Sequence, residues 1–458
     1  MNFQDKKNRR DDLYTRLLQN GVVVFGAGKY GKKYIEVIQK SHIRITQIWD
    51  NNPKLAGLEI LGVTVEKPHY IENAVVIIAV YGDKKSIIHQ LREIGIEAQR
   101  ILLYEHIRFL DKNENRSQLL KQTYPDTIQF PITYKCNFNC IMCGMNKLQN
   151  KKEMDPGSIK KILGDDYYTH IHTVGINGGE PFLRNDFREC INAIIESLKE
   201  INRLNIISNG YYSKKILEGL SYIREKWPGV YVNLSISMDG VGGKQDIHRG
   251  KRGAFNNAQN TINEIRKDYE KYVNNLDLIC TVTKRNVWHV YEVEEWAKRN
   301  GLFVNYNIAS VNKRIENEDK SDAFLIQTDM MALYMAREFF YGQYLKTGQE
   351  NYFAIYLYLL YGKRFALCPY KMNEWVTVLP DGDIEYCATR SKALGSGFQD
   401  STKKILTDNQ DYFLDLQSKY CDDCSHYMYL LDEEGLVFLN EEQIKNNYMR
   451  NMGEIYGM

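Results

Sequence analysis

The chain has 458 residues, enough for about three domains, and its 60 Lys+Arg against 58 Asp+Glu leave a formal net charge of +2. That balance, with no basic stripe, argues against a nucleic-acid partner. The charged opening MNFQDKKNRRDD holds no apolar signal core, and the longest apolar runs, Ala74–Val80 and Tyr352–Tyr361, are too short for a bilayer, so no membrane association is expected.

Nine cysteines without a secretion signal point to a reducing cytoplasm, where thiols serve metals or catalysis rather than disulfides. After a polar lead-in helix, Val22 to Phe25 reads as a strand. It runs into Gly26-Ala27-Gly28-Lys29-Tyr30-Gly31 and an amphipathic helix near Lys32–Lys40. A second strand, Ile43–Trp49, ends at Asp50, 24 residues past Gly26. Strand, glycine turn, helix, strand and acid follow the Rossmann order. Gly26, Gly28 and Gly31 would let a phosphate approach the helix N-terminus, and Asp50 stands where a ribose-binding acid belongs. Ala74–Val80 reads as a third buried strand, Lys84–Gly95 as a helix and Ile101–Tyr104 as a last strand. The module, residues 1–110, is about one mononucleotide-binding half. It resembles the small Rossmann-like domains of polysaccharide and nucleotide-sugar enzymes. A nucleotide or nucleotide-sugar site and a ligand-free docking role both remain open.

Residues 111–125 read as a polar linker. From Ile128 short β-runs alternate with amphipathic helices, which predicts parallel strands with helical crossovers over residues 126–310. Strands are expected at Ile128–Tyr134, Thr173–Ile176, Leu204–Ser208, Tyr231–Met238, Leu276–Thr283 and Leu302–Ile308. Helices are expected at Asp186–Lys199, Ser213–Trp227, Phe255–Tyr269 and Val287–Asn300. In parallel barrels chemistry gathers at the carboxyl ends of the strands. There, Cys136, Cys140 and Cys143 follow the first strand at a three-then-two spacing. Three thiolates from one loop can hold an iron–sulfur cube and leave one iron open; a zinc knuckle would want a fourth ligand nearby.

These residues resemble the radical S-adenosylmethionine (SAM) enzymes. The resemblance implies a partial (β/α)6 barrel and a [4Fe–4S] cluster on Cys136, Cys140 and Cys143. SAM would sit on the open iron and be cleaved to a 5′-deoxyadenosyl radical that abstracts a hydrogen atom. Gly178-Gly179-Glu180-Pro181 resembles the family's GGEP motif, which binds the SAM amino group. Ser208 resembles its polar strand end. Period-two alternation places Ser235, Ser237 and Asp239 on one face of the fourth strand, where hydroxyls can reach SAM. Arg249 lies in a stretch resembling the family's RG…GxF pattern and would clamp a carboxylate or brace a loop. Met142 departs from the family, which usually has an aromatic residue there against the adenine; a thioether can fill that space. Cys190 and Cys280 read as buried apolar residues.

Residues 311–458 open with a polar surface excursion, Val311–Lys320, then helices near Asp329–Tyr344 and Tyr352–Tyr361. Cys368, Cys387, Cys421 and Cys424 follow, with a hairpin through Pro380-Asp381-Gly382-Asp383 that delivers Cys387. The hairpin and four thiols resemble the SPASM and shorter twitch extensions of radical SAM enzymes and imply one auxiliary [4Fe–4S] cluster. An all-cysteine zinc site fits the same spacing. The expected fold is therefore α/β: a Rossmann-like domain, a partial barrel and an α+β extension. The resemblance implies an oxidoreductase or lyase supplied with electrons by flavodoxin or ferredoxin. The Rossmann-like front points to a carbohydrate or nucleotide-linked small molecule as substrate. A peptide-modifying maturase is the alternative, and a non-catalytic iron–sulfur scaffold or electron-transfer protein the second.

Overall fold

The computed structural model describes residues 21–40, 43–80, 84–97, 100–103, 124–432, 434–436 and 438–439. The expected lead-in helix, residues 104–123 of the last strand and linker, and the tail beyond 439 lie outside them.

The first sheet is built on Val22–Phe25 (β1), whose alternation sends Val22 and Val24 to one core and Val23 and Phe25 to another. Ile45–Trp49 (β2), Glu59–Ile60 (β3), Val63–Glu66 (β4), Val76–Ile78 (β5) and Ile101–Leu103 (β6) complete it in the order β3-β4-β2-β1-β5-β6. All neighbours are parallel except the β3–β4 hairpin. That hairpin is absent from the sequence reading. Its turn puts Leu61 and Gly62 at φ 51° and 79°, where Asn-Gly or Asp-Gly is the usual signal. One face of the sheet shares its core with Leu367, Met372 and Leu430, so this unit packs on the chain that flanks Cys368.

The second sheet has nine strands in the order β12-β11-β10-β9-β8-β7-β13-β14-β15. Thr127–Thr133 (β7), Thr173–Gly178 (β8), Arg203–Ser208 (β9), Tyr231–Ser237 (β10), Asn275–Val282 (β11) and Val304–Ile308 (β12) are the six expected parallel strands. They are joined by helices such as Phe187–Ser197, Ser213–Lys226, Ala254–Lys267 and Val290–Arg299. Those helices bury Ile191, Ile194, Leu220, Ile262 and Val293 against the outer face of the strands. This is the expected mixed α/β fold, a partial barrel with a C-terminal extension.

The extension is less separate than its sequence suggests. Trp375–Val378 (β13) pairs parallel to β7, with Trp375 opposite Thr127, and carries Asp383–Glu385 (β14) and Ala393–Ser396 (β15) beyond it. The hairpin thus covers an edge whose backbone groups would otherwise lack partners. The helices Met330–Thr347 and Glu350–Tyr361 pack into the same core through Phe339, Phe340, Tyr352 and Phe353. Among the described residues, no helix is long and apolar enough to cross a membrane.

Candidate active site

The cysteine loop leaves the carboxyl end of β7 and borders a cavity of about 340 Å3. Cys136, Cys140 and Cys143 all line it. Each sulfur faces one N–H group: Phe138 N is 3.5 Å from Cys136 Sγ, Met145 N is 3.4 Å from Cys143 Sγ, and an Arg249 Nη1 is 3.9 Å from Cys140 Sγ. Burial pushes the thiols up, Cys136 to about 12 and Cys140 to about 11, with Arg249 opposing the rise at Cys140. Buried thiols with inward N–H donors and a guanidinium suit thiolates that would share an iron–sulfur cluster, whose iron ions would supply the positive charge that burial alone denies the sulfurs. The residues present therefore fit a cluster held by this loop.

Around the same cavity stand Met142, Gly178, Gly179, Ser208, Ser237 and Arg249, from the cysteine loop, the ends of β8, β9 and β10, and a helix beyond. The glycines are needed by the backbone itself. A Cβ on Gly179 would lie 2.0 Å from the Lys135 carbonyl oxygen, and Gly178 has φ 124°. Glu180 does not reach the cavity lining. It is 2% exposed and accepts from Ser208 Oγ at 2.9 Å, Asn209 N at 2.7 Å and Phe182 N at 3.4 Å. It ties the end of β8 to the end of β9, and burial pushes its carboxyl up to about 7.

Ser235 also lies away from the cavity, donating to Asp277 at 2.5 Å across β10 and β11. Ser237 and Asp239 share its face, but Asp239 is fully buried. It accepts from Thr281 N at 2.8 Å and pairs with Arg249 Nε at 2.7 Å. Arg249 is thereby held as a brace between Asp239 and Cys140. Cys190 and Cys280 are both fully buried, and Ile279 and Thr281, not Cys280, face the cavity.

Residues 311–320 are in part the expected surface excursion, with Lys313, Glu316, Glu318 and Asp319 exposed, but the segment is also anchored inside. Asn312 and Asn317 are buried, and Asn317 Nδ2 donates to the Met142 carbonyl at 2.8 Å. Lys320 Nζ reaches the Cys143 carbonyl at 2.6 Å. Lys313 N and Arg314 N donate to the carbonyls of Thr389 and Ala388, just past Cys387. The segment straps the cysteine loop to the auxiliary cysteines. Asn312 and Asn317 satisfy backbone groups in the interior, a role that hydropathy cannot separate from exposure to solvent.

Cys368, Cys387, Cys421 and Cys424 line one small pocket walled by Tyr370, Tyr386 and Tyr427. Thr389 Oγ1 lies 3.9 Å from both Cys387 Sγ and Cys424 Sγ. Among the described residues, no three His, Cys, Asp or Glu side chains group as ligands of a single metal ion. Burial pushes Cys421 up to about 12, and the neighbouring Cys368 adds to it. The pocket is held by Arg364, which sequence reasoning missed. Its guanidinium makes five hydrogen bonds of 2.6–3.1 Å, to the carbonyls of Ala366, Leu367, Cys424, His426 and Tyr427. His426 and Tyr427 line this pocket and the three-cysteine cavity alike, a wall shared by both sites. Their position just after the CxxC was the available signal.

In the first sheet Gly26, at φ 126°, turns the chain, and Gly31 lies so close that a Cβ there would meet the Gly26 carbonyl oxygen at 2.1 Å. Gly28 is exposed with open space around it. Asp50 accepts from Ala27 N at 2.7 Å and Asn52 N at 2.8 Å, tying the glycine turn after β1 to the end of β2. A polar cleft of about 490 Å3 lies beside it, lined by Asn51, Lys67 and His89.

Residues 130–296 match the family described as the radical SAM superfamily, and residues 18–102 match the family described as C2185-like, N-terminal. The chain is similar to a probable GTP 3′,8-cyclase of Methanococcus aeolicus, 33% identical over 98 residues, 20% of this chain and 32% of that protein. It is also similar to the sporulation killing factor maturation protein SkfB of Bacillus subtilis, 25% identical over 199 residues, 43% of this chain and 45% of that protein. The chain thus spans about a third to a half of the length of these curated relatives. Among solved structures, anSMEcpe with bound AdoMet aligns at TM-score 0.46 and 16% identity, over 72% of this chain and 100% of that one. SuiB of Streptococcus suis aligns at 0.45 and 14%, over 72% and 76%. The barrel of this chain, residues 130–296, is a radical SAM domain.

Proposed function

We propose that this protein is a catalytic radical SAM enzyme acting on a carbohydrate or nucleotide-linked small molecule. The observation that carries the chemistry is the cavity on which Cys136, Cys140 and Cys143 converge with the ends of β8, β9 and β10. A cluster held there supplies one-electron reductive cleavage of SAM when bound. The chain's own residues do the rest. Gly178 and Gly179 bring backbone to the cavity wall, Ser208 and Ser237 offer hydroxyls, and Arg249 sets its charge beside the Cys140 sulfur. Cys368, Cys387, Cys421 and Cys424 would hold a second [4Fe–4S] cluster, and His426 and Tyr427 line both that pocket and the three-cysteine cavity. The four thiols line one pocket, and beside a radical SAM barrel this supports a cluster there, with an all-cysteine zinc site as the alternative.

For the substrate, the Rossmann-like sheet at the front and the likeness to GTP 3′,8-cyclases support a nucleotide-linked molecule. The likeness to SkfB, over a larger share of the chain, favours peptide maturation as the second reading. The test is formation of 5′-deoxyadenosine by anaerobically reconstituted protein with SAM and dithionite, against nucleotide sugars and, separately, a peptide fraction. Wild type is expected to form it, nucleotide sugars to stimulate it, and Cys140→Ala to abolish it. Turnover by Cys140→Ala would overturn the assignment of the site, and stimulation by peptides alone would select the maturase.

A further inference from the structure

The strap of residues 311–320 touches both sets of thiols, and Arg314 is the point where it passes from one to the other. Lys313 N and Arg314 N donate to the carbonyls of Thr389 and Ala388, just past Cys387, at 2.9 and 3.4 Å. The two residues after Arg314 press on the other site. A Cβ on Gly144, which follows Cys143, would lie 2.4 Å from the Ile315 carbonyl oxygen and 2.2 Å from that of Glu316. Ile315 also packs with Cys136 and Cys143. Strained backbone marks both sides of this passage: Glu316 has φ 46°, and Tyr427, which lines both sites, has φ 47°. Residues with a Cβ keep such angles only where their surroundings fix them, so the placement of Arg314 is tightly determined.

Arg314 carries a charge that no carboxylate among the described residues pairs with. Its Nη1 is buried without a hydrogen-bond partner, and so is Oε2 of Glu385, the acid whose carboxyl feels its charge. The charge reaches both sites. Burial pushes the Cys143 thiol up, and the Met145 N–H, Lys320, Arg249 and Arg314 oppose it. On the other side burial pushes the Tyr370 and Tyr427 hydroxyls up, and Arg314 opposes both, at Tyr427 with a hydrogen bond as well. Those two tyrosines wall the four-cysteine pocket, which Arg364 and Arg390 also line and which, among the described residues, no carboxylate does. Arg249 is a different case, since Asp239 pairs with it at 2.7 Å. An unpaired buried cation is costly, and a protein keeps one where an anion stands against it.

We propose that Arg314 is a counter-ion shared by the two thiol sites, a positioning residue that stabilises negative charge on the groups held by the three-cysteine loop and by the four-cysteine pocket alike. The proposal rests on the radical SAM reading and on a cluster at each site. Iron–sulfur groups held by thiolates are anionic, and each gains one more negative charge when an electron enters. One fixed cation between them favours the reduced form of both, so the two sites are tuned together by a single side chain.

The experiment is a potentiometric titration of the reconstituted full-length protein, with dithionite as reductant and electron paramagnetic resonance as readout. A second substitution isolates each site: Cys421→Ala leaves the three-cysteine loop loaded, and Cys140→Ala the four-cysteine pocket. Arg314→Gln is expected to disfavour the reduced form at least tenfold at both sites, a midpoint lower by about 59 mV for one electron. Arg314→Lys keeps the charge and should recover most of that shift. Lys214→Glu, on a remote helix and 90% exposed, should move neither midpoint. Urea unfolding of the metal-free proteins needs no iron, and there Arg314→Gln should be at least as stable as wild type, because it removes an unpaired buried charge. Unmoved midpoints in Arg314→Gln, a shift at one site only, an equal shift in Lys214→Glu, or no recovery in Arg314→Lys would overturn the proposal. So would a destabilised metal-free Arg314→Gln, which would make Arg314 a structural brace. A wild type with no reducible cluster on the three-cysteine loop would instead overturn the functional reading, and one with a cluster there alone would overturn the auxiliary cluster and the shared role with it.

Discussion

The carboxyl of Glu180 sits where its protonated form is preferred, and Glu180→Gln should therefore change how stability depends on pH. Burial raises it from 4.5 to about 7, against the opposing pull of hydrogen bonds from Asn209 N, Ser208 Oγ and Phe182 N. The unfolded chain keeps the ordinary value, so between these limits the folded state binds more protons and rising pH favours unfolding. At ~1.4 kcal/mol per pKa unit the group's contribution amounts to about 3 kcal/mol. It is present in full below about pH 4.5 and lost as pH rises through about 7. Glutamine cannot ionise, so that slope disappears. In exchange its amide NH2 meets at least one of the donors now facing the carboxylate, at a cost of about 1–3 kcal/mol. Wild type should be the more stable protein at pH 5, and the two curves should meet or cross by pH 8. Urea unfolding of both metal-free proteins across this range measures the difference. Glu385, raised to about 8, and Asp277, also raised, add to the wild-type slope, but they are unchanged by the substitution and cancel in the comparison. Parallel curves for the two proteins would refute the reasoning.

Cys421→Ala should lower bound iron by about four atoms per chain while leaving the three-cysteine loop loaded; loss of zinc in its place would exclude the auxiliary cluster. Gly28→Val should leave the melting temperature unchanged, because nothing lies within 4 Å of the added Cβ, and should lower affinity for nucleotide sugars in equilibrium dialysis. Unaltered affinity would favour a docking role for the first sheet. Arg364→Met should destabilise the chain by at least about 3 kcal/mol by orphaning several carbonyls, and should strip iron from the four-cysteine pocket first. Iron content equal to wild type after reconstitution would show that the guanidinium does not hold that pocket.

The period of the apolar residues and the spacing of the cysteines already carry much of this protein. Six parallel barrel strands appear within a few residues of where alternation places them, because each buries one face against helices of its own sequence neighbourhood. Cys136, Cys140 and Cys143 share a cavity because their spacing confines them to one short loop. The β3–β4 hairpin was not legible, since two-residue and four-residue strands carry little periodicity and Leu61 occupies a turn position that glycine or asparagine usually marks. Nor was the fate of Asp50 and Glu180, whose acids look ligand-binding in sequence but accept backbone N–H groups brought to them by neighbouring strand ends. Tertiary structure alone decided the rest. Pairing of β13 with β7, the packing of Leu367 against the first sheet, and the strap of residues 311–320 join segments tens to hundreds of residues apart. Such contacts are chosen by the energy of burying an open strand edge and satisfying interior carbonyls, which no local pattern encodes.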